Sequence, residues 1–401
     1  MARRCWQVWP KIALRLHVWL TSCVTADIAF AASMQTSNTT MYPSTKTGYG
    51  SEWTIDDRVT HLREWATQRI RALPPLPTQE CWIGTGEKCE IQLEDPTGQV
   101  SRRHARLVRG DATWILYDHE SKNGIKLDGA KRRDIELVPG AEIGIGGVTL
   151  IAESARSTQL RNFLARMLGM DRGRAELVDS ALRAIRLAAA RRTGLVLSGD
   201  GDLVPLAHTI HRRARGDDRP FVVCDPRRRA GKETVRSPQN AASGLDGLAA
   251  AVGGSLCVRT RRLPRDFRDV LRELRSPNLQ VQLVVCADRR TDCAIYGGTP
   301  IEIPPLADRE AELDVIIQQY AADAVIELRP LSAAAAFLPA DATWVRRHAR
   351  RSLSEVEKAT LRLVALRAAR NLSQAAAMLG MAPVSLSRWI GRRSLPMELD
   401  A

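Results

Sequence analysis

Val100-Ser-Arg-Arg-His-Ala-Arg-Leu107, followed after a strand-length gap by Ser121-Lys-Asn-Gly124, decides how residues 78–154 fold. Both stretches sit between short β-type runs: Cys81–Ile83, Ile91–Leu93, His104–Val108, Thr113–Tyr117, Ile125–Leu127, Ile135–Leu137 and Val148–Ala152. Turn residues separate the runs at Gly98, Gly110, Gly124, Asp128-Gly129, Pro139-Gly140 and Gly146-Gly147. Many short strands at this spacing predict an all-β sandwich. The quoted polar residues then fall on loops, which a rigid sandwich leaves free for recognition.

With Ile83-Gly84 upstream, these motifs resemble the forkhead-associated (FHA) domain, a sandwich whose loops read phosphothreonine peptides. Such a ligand brings nearly two negative charges and three acceptor oxygens, so its pocket needs hydroxyl, amide and cationic donors. The resemblance implies that Ser101 and Arg102 hold the phosphate and that Asn123 holds the peptide backbone. It also implies that His104 braces the loop from inside, while Gly84 and Gly124 allow tight turns. One position departs from the pattern. The family has Arg directly after its first glycine, and this chain has Thr85, a hydroxyl without charge; Lys88 or Lys122 is the candidate substitute. The competing reading of the module is a sandwich that binds unmodified protein.

At 401 residues the chain has room for several domains. With 44% hydrophobic and 26% charged residues it has an ordinary globular composition. The net charge of +14 is unevenly spread: residues 343–401 hold 11 Arg and Lys against 4 Asp and Glu, while residues 81–153 hold 10 against 12. The basic end points to nucleic acid, with a solvated basic face as the plainer alternative. The eight cysteines show no C-x-x-C pair or zinc spacing, and Cys224, Cys257 and Cys286 lie in apolar runs. They read as reduced thiols of a cytoplasmic protein, with no metal. Residues 1–77 read as a largely disordered extension, with Met1, Met34 or Met41 as its start. Arg15, His17 and Asp27 interrupt the apolar stretch near the N-terminus, and no membrane span is expected.

Residues 158–330 alternate helical and apolar strand-like segments, an α/β pattern. Ala181–Arg192 is an amphipathic helix candidate; Gly194–Ser198, Pro220–Cys224, Gly253–Val258 and Leu279–Cys286 are candidate buried strands. Four stretches appear in one order: Ala207-His-Thr-Ile-His211, Arg219-Pro-Phe-Val222, Gly253-Gly-Ser-Leu256 and Ile303-Pro-Pro-Leu-Ala-Asp-Arg-Glu310. Together they resemble the AAA+ domain of bacterial enhancer-binding proteins, the activators of sigma-54 polymerase. A phosphate loop needs backbone amides and a lysine against the β- and γ-phosphates. Here the strand runs into Ser198-Gly-Asp-Gly-Asp-Leu-Val204, with no lysine and with Asp200 and Asp202 where an anion would rest. Arg259-Thr260 stands in place of the family's acidic pair, and a cation there repels Mg²⁺. The polymerase-gripping Gly-Ala-Phe-Thr-Gly-Ala loop has no counterpart between Arg227 and Val252. The expectation is a degenerate domain without ATP hydrolysis or cofactor.

Near the C-terminus, Ser352-x-x-Glu355 and Ser354-x-x-Glu357 both satisfy a capping box. The helix beyond them carries Val356, Ala359, Leu363 and Leu366 at helical spacing. Gln374–Leu379 is a short helix, Gly380-Met381-Ala382 a turn, and Pro383 opens a last helix. Asn371-Leu-Ser-Gln-Ala-Ala-Ala-Met-Leu-Gly-Met381 resembles the Fis-type helix-turn-helix. Leu386 and Ile390 should pack inward. Ser385, Ser387, Arg388, Arg392 and Arg393 are the candidate DNA contacts. A three-helix bundle used for dimerisation is the alternative.

The sequence therefore reads as a multidomain α+β protein: an extension (1–77), an FHA sandwich (78–154), a degenerate AAA+-like domain (158–330) and a helix-turn-helix (343–401). The resemblances imply a non-enzymatic, cytoplasmic, homodimeric transcriptional regulator. It couples a phosphothreonine-containing partner, at Ser101, Arg102, Asn123, Thr85 and Lys88, to double-stranded DNA. The alternative is a phosphopeptide-dependent adaptor in Ser/Thr-kinase signalling that does not bind DNA.

Overall fold

The computed structural model describes residues 58–395 except 76, 112, 192, 234–236, 277, 289–295, 297–298 and 330–335. The readings of residues 1–57, including the start and the apolar N-terminal stretch, lie outside the described residues.

Eleven strands build the sandwich: β1 (Val59–Glu64), β2 (Ile70–Ala72), β3 (Glu80–Gly84), β4 (Ile91–Gln92), β5 (Ala105–Arg109), β6 (Trp114–Asp118), β7 (Ile125–Leu127), β8 (Ala130–Arg132), β9 (Asp134–Glu136), β10 (Glu142–Ile145) and β11 (Val148–Ser154). One sheet has the order β2-β1-β11-β10-β7-β8 and the other β4-β3-β5-β6-β9. Period-2 alternation sends Leu62, Ile125, Ile143 and Leu150 from the first sheet into one core with Ile83, Leu107, Leu116 and Ile135 from the second. The sandwich begins at Val59, so the boundary expected at 78 is too late: β1 pairs antiparallel with β11 through Leu62↔Ala152 and Arg63↔Ile151.

The sandwich runs without a linker into the helices after it. Strand β11 ends at Ser154, which caps α1 (Ala155–Leu168) by accepting from the Ser157 amide. Helix α2 (Ala175–Arg191) then lies over the outer face of the first sheet. Its Asp179, Arg183 and Arg186, spaced i, i+4, i+7 on one stripe, meet the sheet's charged residues. Arg63, 1% exposed, donates to Asp179 (Nη1–Oδ2 3.0 Å) and Glu153 (Nε–Oε1 2.9 Å). Arg183 pairs with Glu142, and Arg186 with Asp128.

The second body is a three-layer α/β/α unit. Its sheet is wholly parallel, in the order β14-β13-β15-β16-β12-β17: β12 (Leu195–Ser198), β13 (Phe221–Cys224), β14 (Gln239–Ala241), β15 (Ser255–Arg259), β16 (Gln282–Ala287) and β17 (Ile301–Glu302). Both faces are covered, as a parallel sheet requires. Leu195, Leu197, Val223 and Val284 face α1, α2, α3 (Val204–Arg215) and α6 (Leu313–Leu328). Val196, Val222, Leu256 and Val285 face α4 (Gly244–Ala250) and α5 (Phe267–Glu273).

Among the described residues the C-terminal part has four helices: α7 (Pro339–His348), α8 (Leu353–Ala368), α9 (Leu372–Met378) and α10 (Pro383–Ile390). Helix α7 begins before the expected boundary at 343. Of the two possible capping serines, Ser352 is the one that takes the Glu355 amide, while Ser354 is buried in the first turn. The described cysteines, at 81, 89, 224, 257 and 286, are buried free thiols. Among the described residues no helix is long and apolar enough to cross a membrane.

Candidate functional site

Three loops at one end of the sandwich come together. Strand β3 ends at Gly84, whose backbone runs so close to the 101–103 loop that a Cβ there would lie 2.4 Å from the Arg102 carbonyl oxygen; at Gly86 the distance would be 2.8 Å. Only glycine permits this approach. It is used for hydrogen bonds: the Thr85 amide donates to the Ser101 carbonyl (3.2 Å) and the Gly86 amide to that of Arg102 (2.9 Å). The Cys89 thiol adds a third bond to the Arg102 carbonyl at 3.0 Å.

His104 is fully buried beneath these loops. Its Nδ1 accepts from the Ser101 amide (3.0 Å), which leaves Nε2–H to donate to the Gly124 carbonyl (3.2 Å). One imidazole therefore spaces the 101–103 loop from the 121–124 turn. Asp118 sets that turn, since its carboxylate accepts the Ser121 hydroxyl at 2.6 Å, and Ser121 Oγ accepts the Gly124 amide at 2.9 Å. Gly124 has φ +70°, favourable to glycine.

On this frame Ser101 is half-buried, with its Oγ accepting from the Lys122 amide at 3.4 Å. Arg102, Lys88 and Lys122 are exposed and make no ion pair among the described residues. Arg103, also exposed, stacks over Trp82 at 5.1 Å. Thr85 is half-buried and held by its backbone to Ser101. Asn123 turns its amide to the Gln99 carbonyl, 2.8 Å away, which ties the turn to the 95–100 loop. A hydroxyl, an amide and three cations without an ion pair among the described residues thus stand on adjoining loops, the donor types an oxyanion takes. Sequence reasoning passed over Gly86, Asp118, Gln99 and Arg103. Only Arg103, beside Arg102, carried a chemical signal; Gly86 and Gln99 work through their backbone, and Asp118 through a carboxylate that shapes the turn rather than facing a ligand.

Residues 81–146 match the family model of the FHA domain. The chain carries an FHA domain. Solved structures similar to it include the FhaA FHA domain complexed with the intracellular domain of Rv3910, at 26% identity over 23% of this chain and 96% of that one, with a TM-score of 0.21. Mycobacterium tuberculosis EmbR in complex with a low-affinity phosphopeptide is similar at 25% identity over 24% of each chain, with a TM-score of 0.22. The FHA domain of CT664 from Chlamydia trachomatis is similar at 23% identity over 23% and 92% of the two chains, with a TM-score of 0.21. No curated protein matches the sequence.

Away from the FHA domain, two further regions bear on function. The first is the crevice at the C-terminal end of β12, the end where open α/β sheets bind ligands. Here Asp202 accepts from Arg259 (3.0 Å) and Lys358 of α8 (3.3 Å). Arg259 also reaches Asp225 (3.1 Å), which is held by Arg262 as well (3.0 Å). Burial pushes the Asp202 carboxyl up, but Arg259 and Lys358 outweigh it and hold the group below the usual carboxylate value. Gly201 (φ +82°) lies against Ser352, where a Cβ would come within 2.6 Å of the serine's own. The cavity left beside Asp200, Asp202 and Ser352 measures about 10 Å³, near the size of one water molecule.

The second region is the C-terminal helix pair. Ala375, Ala376 and Leu386 are fully buried and let α9 and α10 cross closely, with Gly380 (φ +59°) in the turn. Ser385, Ser387, Arg388, Arg392 and Arg393 are exposed; Ile390 is half-buried. Arg393 donates to the Trp389 carbonyl (3.1 Å), while the other four side chains make no hydrogen bond among the described residues.

Proposed function

We propose that this protein is a phosphothreonine-dependent regulator: its FHA loops capture a phosphorylated protein, and its C-terminal helices hold double-stranded DNA. The observation that carries the first half is the joining of the loops that bear Ser101, Arg102, Lys88 and Lys122, whose cations are exposed and have no carboxylate partner among the described residues. The domain's membership of a phosphothreonine-reading family gives that donor set its ligand. For the second half, α10 presents Ser385, Ser387, Arg388 and Arg392 on a solvent-facing surface over a buried Leu386, an arrangement able to lie in a major groove. The central domain fits an AAA+-like unit that has lost nucleotide chemistry. Its first strand is flanked by its last, and its ligand crevice is filled by Asp202, Arg259 and the start of α8. We read it as a non-enzymatic platform in a cytoplasmic, homodimeric regulator.

Two measurements test this. Ser101→Ala should lose binding to a phosphothreonine peptide library that the wild type binds; equal binding by both refutes the pocket. Genome-wide DNA pull-down should enrich a defined set of sites that Arg388→Ala loses. No enrichment alongside intact peptide binding favours an adaptor that acts without DNA.

A further inference from the structure

The C-terminal edge of the parallel sheet carries a second basic surface, and we propose that it grips the phosphate backbone of duplex DNA. This rests on the reading of the chain as a DNA-binding protein and adds to it a contact remote in sequence from the helix-turn-helix. Residues 226–276 contain 12 Arg and Lys against 5 Asp and Glu. Strands β13 and β15 are parallel neighbours, so the segments that leave them, Pro226–Lys232 and Thr260–Arg265, emerge at the same edge. One fully buried carboxylate ties the two together: Asp225 lies 3.7 Å from Arg228 of the first segment and 3.0 Å from Arg262 of the second. The first segment is further pinned by Asn240, whose Nδ2 donates to the carbonyls of Arg228 (3.3 Å) and Arg229 (3.2 Å). Its cations are therefore displayed on a fixed backbone.

These displayed cations lack counter-ions. Arg227, Arg229, Lys232, Arg265 and Arg268 are exposed, and their side chains make no ion pair or hydrogen bond among the described residues. Most nearby acids are already engaged. Asp266 accepts the amides of Gly244 and Leu245 at 2.8 and 2.9 Å, Asp269 pairs with Arg272, and Asp288 pairs with Arg261. Uncompensated like charges on neighbouring segments repel one another, and a polyanion relieves that repulsion. Pro226–Lys232 has no aromatic or branched aliphatic side chain. It thus lacks the apolar anchor of a protein interface and the stacking platform of a single-strand binder. Arginine predominates, which suits bidentate capture of phosphate. The ion-pair chain Lys358–Asp202–Arg259–Asp225 connects this edge to α8, the helix that leads into α9 and α10.

The test uses the full-length protein, a duplex of random sequence and fluorescence anisotropy over a series of NaCl concentrations. Losing three phosphate contacts should make the slope of log affinity against log salt shallower by about 2 to 3. The variant R227S/R229S/K232S is expected to show that change with an unaltered melting temperature. An unchanged slope overturns the proposal. Arg388→Ala is the separating arm. If it alone weakens binding, the helix-turn-helix reading stands and the rim fails; if the rim variant alone does, the reverse holds. If the wild type does not bind duplex at low salt, both fail. Binding to polyglutamate but not to duplex overturns the rim in favour of an acidic protein surface.

Discussion

Replacing Arg259 by Met tests the view that the sheet's ligand crevice is filled by the protein itself. The guanidinium is largely buried, with 16% of its side chain exposed, and bonds Asp202 and Asp225 at 3.0 and 3.1 Å. Removing one partner of a buried pair costs about 3 to 5 kcal/mol when the other charge is left alone. Neither acid is left alone here: Asp225 keeps Arg262, and Asp202 keeps Lys358 and is one-third exposed. The expected loss is therefore smaller, about 2 kcal/mol, close to that of two charge-assisted hydrogen bonds less their desolvation. Urea denaturation monitored by circular dichroism measures it. The cycle with Asp202→Asn should return a coupling of about 1 kcal/mol. A loss below about 0.5 kcal/mol, within the range of ordinary surface substitutions, refutes the reasoning. So does a rise in the wild-type melting temperature on adding Mg-ATP, because a ligand that fits the crevice would stabilise the fold.

The same geometry sets other outcomes. Thr85→Arg should tighten phosphothreonine-peptide binding about tenfold by calorimetry, because it adds one charge-assisted bond beside Ser101. Glu357 is pushed up to about 7, chiefly by burial, with Glu327 and Asp323 adding to the effect and Lys358 opposing it. Folding therefore favours its protonated form, and this contribution is lost as pH rises through 7. Glu357→Gln should raise the melting temperature at pH 8 and leave it nearly unchanged at pH 4.5. Burial lowers His208 and His211 to about 4, so both fold neutral. Stability should fall as pH drops from 6.5 towards 4, and His211→Gln should flatten that slope in thermal melts.

Where the chain alternates cleanly, its pattern is readable. Ile125–Leu127 forms a strand at the positions read from sequence, and Ala105–Arg109 and Phe221–Cys224 form strands within a residue of theirs. Strand β1 escapes a sequence reading because Arg63 and Glu64 look like surface residues. Arg63 is in fact buried, a choice that makes sense only once Asp179, 116 residues away, is seen beside it. Strand β10 escapes it because Glu142, Gly144 and the glycines after it look like a turn. Ser101, Arg102 and Asn123 announce their loops through residue type. Asp202 and Arg259 each look like a simple loss, and only the fold shows that the two departures are partners.

The junction at Ser154, with Arg63 clamped between Glu153 and Asp179, gives the molecule a stiff neck. The sandwich thus meets the helices below it through both a continuous backbone and buried ion pairs. Distance and angle from sandwich to parallel sheet are thereby written into the chain, and lengthening that neck by a few glycines would spare each fold while scrambling their alignment.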